Sequence, residues 1–129
     1  MPEPRAPAAT ALALGFAASG TVHLVRPAVF DPLMPRVLPA RWHRTLIALS
    51  GLAELVCAAG LLGRRRWAGG ASVALLVAVF PANVQMALDA GTGRNPGPTD
   101  SRAVAWGRLP LQLVMAWMAL QARSRPDPD

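Results

Sequence analysis

The stretch Ser50-Gly51-Leu52-Ala53-Glu54-Leu55-Val56-Cys57 places one carboxylate in the middle of a segment that is otherwise uncharged from Thr45 to Gly63. At about 1.5 Å per helical residue, such a segment is long enough to cross a bilayer core of about 30 Å. A charged side chain at that depth costs a few kcal/mol, so it is usually paired, protonated or turned toward a cavity. The stretch therefore predicts a transmembrane helix, and other parts of the chain must accommodate Glu54.

The composition is that of a small membrane protein with several spans. Of the 129 residues, 53% are hydrophobic and 16% are charged, whereas soluble domains average about 25% charged residues. The net charge is +6, and every basic residue is an arginine. Because the arginines stand in short runs between apolar blocks, they are expected to anchor helix ends at the membrane surface, and nucleic acid is not an expected partner. Cys57 is the single cysteine, which excludes an intrachain disulfide.

Four apolar blocks predict four transmembrane helices, over about 8–25, 43–62, 67–88 and 103–122. A cleaved signal peptide is the alternative for the first block, because Arg5 precedes an apolar run. Its uncharged length and the three following spans favour an uncleaved helix. The predicted fold class is all-α: a single domain over residues 1–129, built as a four-transmembrane-helix bundle with a proline-rich apolar loop between helices 1 and 2.

The connection between the first two spans is both rich in proline and apolar. Four prolines between residues 26 and 44 forbid a long regular helix there. Yet Phe30, Leu33 and Leu38 are more apolar than a solvated loop needs. This combination predicts a segment that lies in the interface or folds over the end of the bundle, with a simple surface loop as the alternative. The polar connection over 89–102 predicts a solvated loop.

The charge distribution gives a topology. Four crossings place both termini and the basic turn Gly63-Arg64-Arg65-Arg66 on the same side of the membrane. This turn is the densest short cluster of arginine, and Arg123 and Arg125 in the polar tail add to it. Because cytoplasmic loops carry an excess of basic residues, we predict that the termini face the cytoplasm.

Each of the four predicted spans carries polar residues. His23 lies near the end of span one, Asn83 lies before the end of span three, and Arg108 follows the start of span four with Gln112 one turn deeper. In an antiparallel bundle these positions fall in the same half of the membrane, and Glu54 lies near the midplane. We predict that the five residues line a ligand pocket and that Arg108 is the counter-ion of Glu54. The alternative is that they only hydrogen-bond the helices together.

Other chemical motifs are missing from the sequence. We find no set of His, Cys and Asp with zinc spacing, no glycine-rich phosphate loop and no Ser/His/Asp arrangement. A haem would need an axial ligand within the membrane, and His23 is the only histidine predicted to lie there, since His43 stands at the first residue of span two. No motif thus indicates a metal, a haem or a nucleotide, and the cofactor stays unknown, with a quinone as a candidate.

Several short motifs together resemble the DoxX-like family of small four-helix bacterial membrane proteins. The resemblance covers nearly the whole chain and rests on one or more motifs in each span and in the first loop. These are Ser19-Gly20-Thr21-Val22-His23, Pro27, Phe30, Pro35, Leu38-Pro39, Ser50-Gly51-Leu52-Ala53-Glu54-Leu55, Phe80-Pro81-Ala82-Asn83-Val84-Gln85-Met86-Ala87 and Arg108-Leu109-Pro110-Leu111-Gln112.

The resemblance implies a four-helix transmembrane bundle in the bacterial cytoplasmic (inner) membrane, and relatives are associated with redox complexes. The bundle is also similar, more distantly, to the EXPERA proteins, whose acidic and histidine residues line a lipid or sterol pocket. We therefore expect a redox-associated protein or one that binds a small lipophilic molecule, a quinone or a lipid. The alternatives are a non-enzymatic accessory subunit of a membrane complex and an EXPERA-like lipid isomerase with Glu54 and His23 as acid and base. A homodimer would supply further helices.

Overall fold

The computed structural model describes residues 7–95 and 97–123, and within them it contains helices and no strand. The four α-helices are α1 (Pro7–Val25), α2 (Ala40–Leu62), α3 (Arg66–Asp89) and α4 (Arg102–Arg123). By length and composition all four could cross a membrane, with α4 counted to Gln121. The predicted all-α class and the number of long apolar helices are confirmed. The first six residues and the predicted tail beyond Arg123 lie outside the described residues.

The four helices form a bundle in which consecutive helices are neighbours. α1 packs against α2 and α4, and α3 packs against the same two helices. Leu12 near the start of α1 shares an apolar cluster with Leu61 at the end of α2, while Met86 near the end of α3 shares one with Ala105 near the start of α4. The chain therefore runs up and down. We call the end that holds the α2–α3 turn at 63–65 the turn end, and the opposite end the loop end.

The backbones of α1 and α2 approach each other closely at two glycines. A Cβ atom added at Gly20 would lie 2.7 Å from the carbonyl oxygen of Gly51, and one added at Gly51 would lie 2.7 Å from the Cβ of His23. Real side chains do not tolerate such contacts, so glycine permits this crossing. The crossing places His23 of α1 beside the turn of α2 that carries Glu54.

The connection from α1 to α2, which we call the capping segment (residues 26–39), begins with a short 3-10 helix, Pro27–Leu33. Two ion pairs attach it to the bundle: Arg44 at the start of α2 lies 3.3 Å from Asp31, and Arg36 pairs with Asp89 at the end of α3. Leu33 is buried in the apolar cluster between α3 and α4. The capping segment thus lies against the loop end of the bundle.

The connection between α3 and α4, predicted as a solvated loop, is a hydrogen-bonded turn with a buried side. Asp89 and Asn95 are only 6% and 5% exposed. The side-chain amide of Asn95 donates to the carbonyl of Met86 at 2.8 Å, and the backbone N–H of Gly93 donates to the carboxylate of Asp100 at 3.0 Å. These bonds fix how α4 starts beside the end of α3.

The outer surface of the bundle is apolar and carries tryptophan at two levels. Leu113 and Val77 are 74% and 69% exposed. All four tryptophans are about half-exposed. Trp42 and Trp106 lie near the loop end, and Trp67 and Trp117 lie toward the turn end. Two levels of tryptophan around an apolar band are typical of proteins whose helix ends lie in the two membrane interfaces.

Candidate functional site

A cavity of about 360 Å³ lies between the four helices, from the middle of the bundle toward the loop end. All four helices contribute to its wall, and Phe30, Leu33 and Met34 of the capping segment close one side. The wall is mostly apolar. All five residues predicted from the sequence line this one cavity: His23, Glu54, Asn83, Arg108 and Gln112. Whether the cavity holds a ligand stays a prediction.

Glu54 is 7% exposed, and its nearest ionisable neighbour is His23. The Oε2 atom of Glu54 lies 3.4 Å from the Nδ1 atom of His23 and has no hydrogen-bond partner among the described residues. The close crossing of α1 and α2 explains this pairing, because it seats His23 directly above the backbone of Gly51. The carboxylate is therefore accommodated mainly by α1.

Arg108 does not form the ion pair with Glu54 that the sequence predicts. Within the described part of the chain, no ion pair or hydrogen bond joins the two residues. Arg108 is exposed while also lining the cavity. The guanidinium thus lies at the rim of the cavity on α4, whereas His23 lies beside Glu54 on α1.

The His23 ring is held by its own helix and by the capping segment. Its Nδ1 atom lies 2.7 Å from the carbonyl oxygen of Ser19, one turn earlier in α1. The ring stacks on Phe30, with centroids 3.8 Å apart and planes inclined by 14°. Because a carbonyl oxygen can only accept, Nδ1 must carry the proton of this bond. The Nε2 atom of neutral His23 is then an acceptor.

Asn83 and Gln112 join α3 to α4 through a chain of hydrogen bonds. The Nε2 atom of Gln112 donates to the backbone carbonyl of Leu76, and the Nδ2 atom of Asn83 donates to the Oε1 atom of Gln112 at 2.8 Å. Gln112 is 6% exposed. The alternative prediction, that a polar residue only hydrogen-bonds two helices together, therefore fits the geometry of Gln112. Asn83 differs, because its side-chain carbonyl oxygen takes part in no hydrogen bond between the helices.

The cavity wall includes polar residues that sequence reasoning missed. Ser19 lies one turn before His23, and Ser50 lies one turn before Glu54; both line the cavity. A spacing of four residues on a helix places side chains on the same face, so this signal was present in the sequence. Phe30 could not be found in this way, because its stacking depends on how the capping segment folds back.

The arrangement offers a charged and hydrogen-bonding interior in an apolar shell, without a metal centre. No group of three or more His, Cys, Asp and Glu that could hold a metal ion occurs among residues 7–95 and 97–123. His23 and Glu54 place two titratable groups 3.4 Å apart in the interior, and Arg108 can hold a negative or polar group at the rim. Cys57 is 4% exposed in an apolar cluster and does not line the cavity.

The chain belongs to the family described as Domain of unknown function (DUF8561), whose model matches residues 12–123. The matched range contains the four long helices almost completely and every polar residue of the cavity wall. Neither a curated protein nor a solved structure matches the chain. The family membership therefore defines the extent of the domain, and the chemistry must be argued from the cavity.

Proposed function

We propose that this chain is a DoxX-like integral membrane protein that binds a small lipophilic molecule, a quinone or a lipid, in the cavity between its four helices. The observation that carries the proposal is the cavity of about 360 Å³, in which polar side chains from all four helices meet inside an otherwise apolar wall. Sites for small ligands typically combine apolar walls with a few polar groups that fix the orientation.

The proposed location is the bacterial inner membrane, with the chain crossing it four times and the termini in the cytoplasm. Four helices of sufficient length and hydropathy support it, as do the two levels of exposed tryptophan. Burying the exposed apolar surface in lipid would remove it from water, which a monomer in solution could not do.

In the proposed complex with a lipophilic ligand, the position of each residue in the cavity determines which part of the ligand it contacts. The apolar wall, which includes Phe16, Ile47 and Met115, receives the hydrocarbon part of the ligand. His23 and Glu54 meet the polar head in the interior. Arg108 contributes a cation at the rim, where a head group passes between the cavity and its surroundings.

A substitution that fills the cavity tests the proposal. Gly15 lines the cavity, and a Cβ atom there would meet no atom within 4 Å, so a leucine can be added without a clash at its first carbon. We expect Gly15→Leu to reduce the ligand retained on protein purified in mild detergent at least about tenfold, because the side chain takes the place of the ligand. Native mass spectrometry measures the retained molecule directly.

The matched control is Gly70→Leu. Gly70 also lies in a long helix with open space where a Cβ atom would be added, but it does not line the cavity, so we expect wild-type retention. Equal retention by both variants would contradict the proposal. Recovery of a partner subunit, with no small molecule on the wild-type protein, would favour the accessory-subunit alternative instead.

A further inference from the structure

We infer that the cavity selects lipophilic molecules with a hydroxyl group, such as a lipid alcohol or a phenol, over molecules whose head group can only accept hydrogen bonds. This inference rests on the proposed binding function and narrows its ligand class: it favours a lipid alcohol or the reduced, hydroxyl-bearing form of a quinone over the oxidised quinone, whose carbonyls only accept. The inference follows from which hydrogen-bonding atoms inside the cavity are free to meet a ligand. Two backbone carbonyls determine this, because each fixes the orientation of the side chain that donates to it.

The first backbone carbonyl belongs to Ser19 and fixes the tautomer of His23. Because it accepts from Nδ1 at 2.7 Å, the proton of the neutral ring is on Nδ1. The contacts of the ring with polar atoms of the described residues all involve Nδ1, so the opposite nitrogen, Nε2, is left without a partner among them. His23 therefore presents an acceptor to a ligand.

The second backbone carbonyl belongs to Leu76 and fixes two amides in series. It can only accept, so the end of Gln112 that meets it must be the NH2 group. The carbonyl oxygen of Gln112 then faces Asn83, which must answer with its own NH2 group. The Oδ1 atom of Asn83 is left over, with no partner among the described residues and open to a ligand.

Glu54 adds carboxyl oxygens to this set. Its Oε2 atom is buried and lacks a hydrogen-bond donor among the described residues, although His23 is close by. Against these acceptors stand one further N–H of Asn83, the hydroxyl groups of Ser19 and Ser50, which can also accept, and the guanidinium of Arg108, which lies exposed at the rim. Apart from this cation at the rim, the interior of the cavity is thus richer in acceptors than in free donors.

A ligand hydroxyl can donate to such an interior and also accept, whereas an ether or a ketone leaves acceptor facing acceptor. A polar group that is buried without its partner loses the hydrogen bonds it had in water. We expect a preference for the hydroxyl compound of about tenfold, which corresponds to about 1.4 kcal/mol.

The experiment is a competition between para-octylphenol and its methyl ether, para-octylanisole. The two probes share a ring and an alkyl chain, and in the ether a methyl group replaces the donor proton. Both are added at equal concentration to the full-length protein in detergent. Because they differ in mass by one methylene group, a single native mass spectrum gives the ratio of the two complexes.

Two variants locate the preference, and one serves as a control. His23→Phe removes the Nε2 acceptor and keeps an aromatic ring against Phe30, and Glu54→Gln replaces a carboxyl oxygen with an amide donor of the same shape. We expect both to bring the ratio close to one. His43→Phe changes the other histidine of the chain, which does not line the cavity, and should keep the wild-type ratio. Circular dichroism verifies that each variant is folded.

The outcomes separate this inference from the proposed function. A wild-type preference that both cavity variants lose supports the inference. Equal binding of the two probes, or a preference for the ether, overturns it, while sensitivity of that binding to Gly15→Leu keeps the proposed function. A phenol preference that persists in both cavity variants also overturns it. Binding of neither probe contradicts the proposed function and the inference together.

Discussion

Single side chains decide how the bundle is held together next to its cavity. The chain of hydrogen bonds from Asn83 through Gln112 to the carbonyl of Leu76 links α3 to α4. Gln112 is nearly fully buried, and both ends of its amide are used. Its main contribution is therefore to packing, although both residues line the cavity, and Asn83 is the member of the pair that keeps a free amide oxygen.

We predict that Asn83 and Gln112 stabilise the bundle as a coupled pair. Gln112→Leu and Asn83→Leu should each lower the free energy of unfolding by about 0.6–1.7 kcal/mol, the average and the maximum for side-chain hydrogen bonds between helices of a membrane protein. The double variant should lose less than the sum, because either change breaks the same bond. Unfolding in mixed micelles with increasing SDS measures all three. Additive losses would contradict a direct bond.

That the five residues gather at one level of the bundle could be predicted from the sequence, and their pairing could not. Helix direction fixes depth, because each residue advances about 1.5 Å along the axis. Pairing also depends on how each helix is rotated and how closely two helices approach. The close crossing of α1 and α2 at Gly20 and Gly51 brings His23 into contact with Glu54. Arg108 lies instead at the rim of the cavity.

At the scale of elements, the crossing of α1 and α2 determines the site. We predict that Gly51→Ala destabilises the protein by about 1–3 kcal/mol, because the added carbon would lie 2.7 Å from the Cβ of His23 and force the helices apart. Ligand retention should fall with it, since His23 moves away from Glu54. Thermal unfolding in detergent and native mass spectrometry measure the two effects.

Gly107→Ala is the matched control for that substitution. Gly107 lies in α4, and an added Cβ there meets no atom within 4 Å. The same change should therefore leave retention intact and raise stability slightly, by up to about 1 kcal/mol, because alanine favours a helix more than glycine does. If Gly51→Ala retained the ligand and the stability as this control does, the helices would not cross as closely at Gly51 as described.

The bounds of the helices followed from the sequence more readily than the structure of the connections. Charged and proline-containing stretches interrupt the apolar blocks, so the four predicted ranges agree with the observed helices within a few residues. The 3-10 helix at Pro27–Leu33 and the buried side of the α3–α4 turn depend on partners far along the chain. Arg36, for example, forms an ion pair with Asp89, and no local sequence pattern predicts that contact.

At the scale of the whole molecule, the bundle resembles a membrane protein on the outside and a binding protein on the inside. The share of buried residues in the four apolar windows ranges from 39% in α2 to 17% in α4, so most of each helix faces outward. A lipid environment accounts for that apolar surface. The interior then contains the polar groups that the outer surface lacks.

The up-and-down arrangement predicts which segments share a side of the membrane. In a Cys57→Ala background, which lacks the native thiol, single cysteines are placed at Arg65, an exposed residue in the turn end, and at Val37, which is 90% exposed at the loop end. With the termini in the cytoplasm, a membrane-impermeant maleimide should label Val37→Cys in spheroplasts and Arg65→Cys in inverted vesicles. Labelling of both from one side would contradict a four-span bundle. Labelling from the opposite sides would keep the bundle and reverse its orientation, because the same helices can cross in either direction and only the balance of flanking arginines distinguishes them.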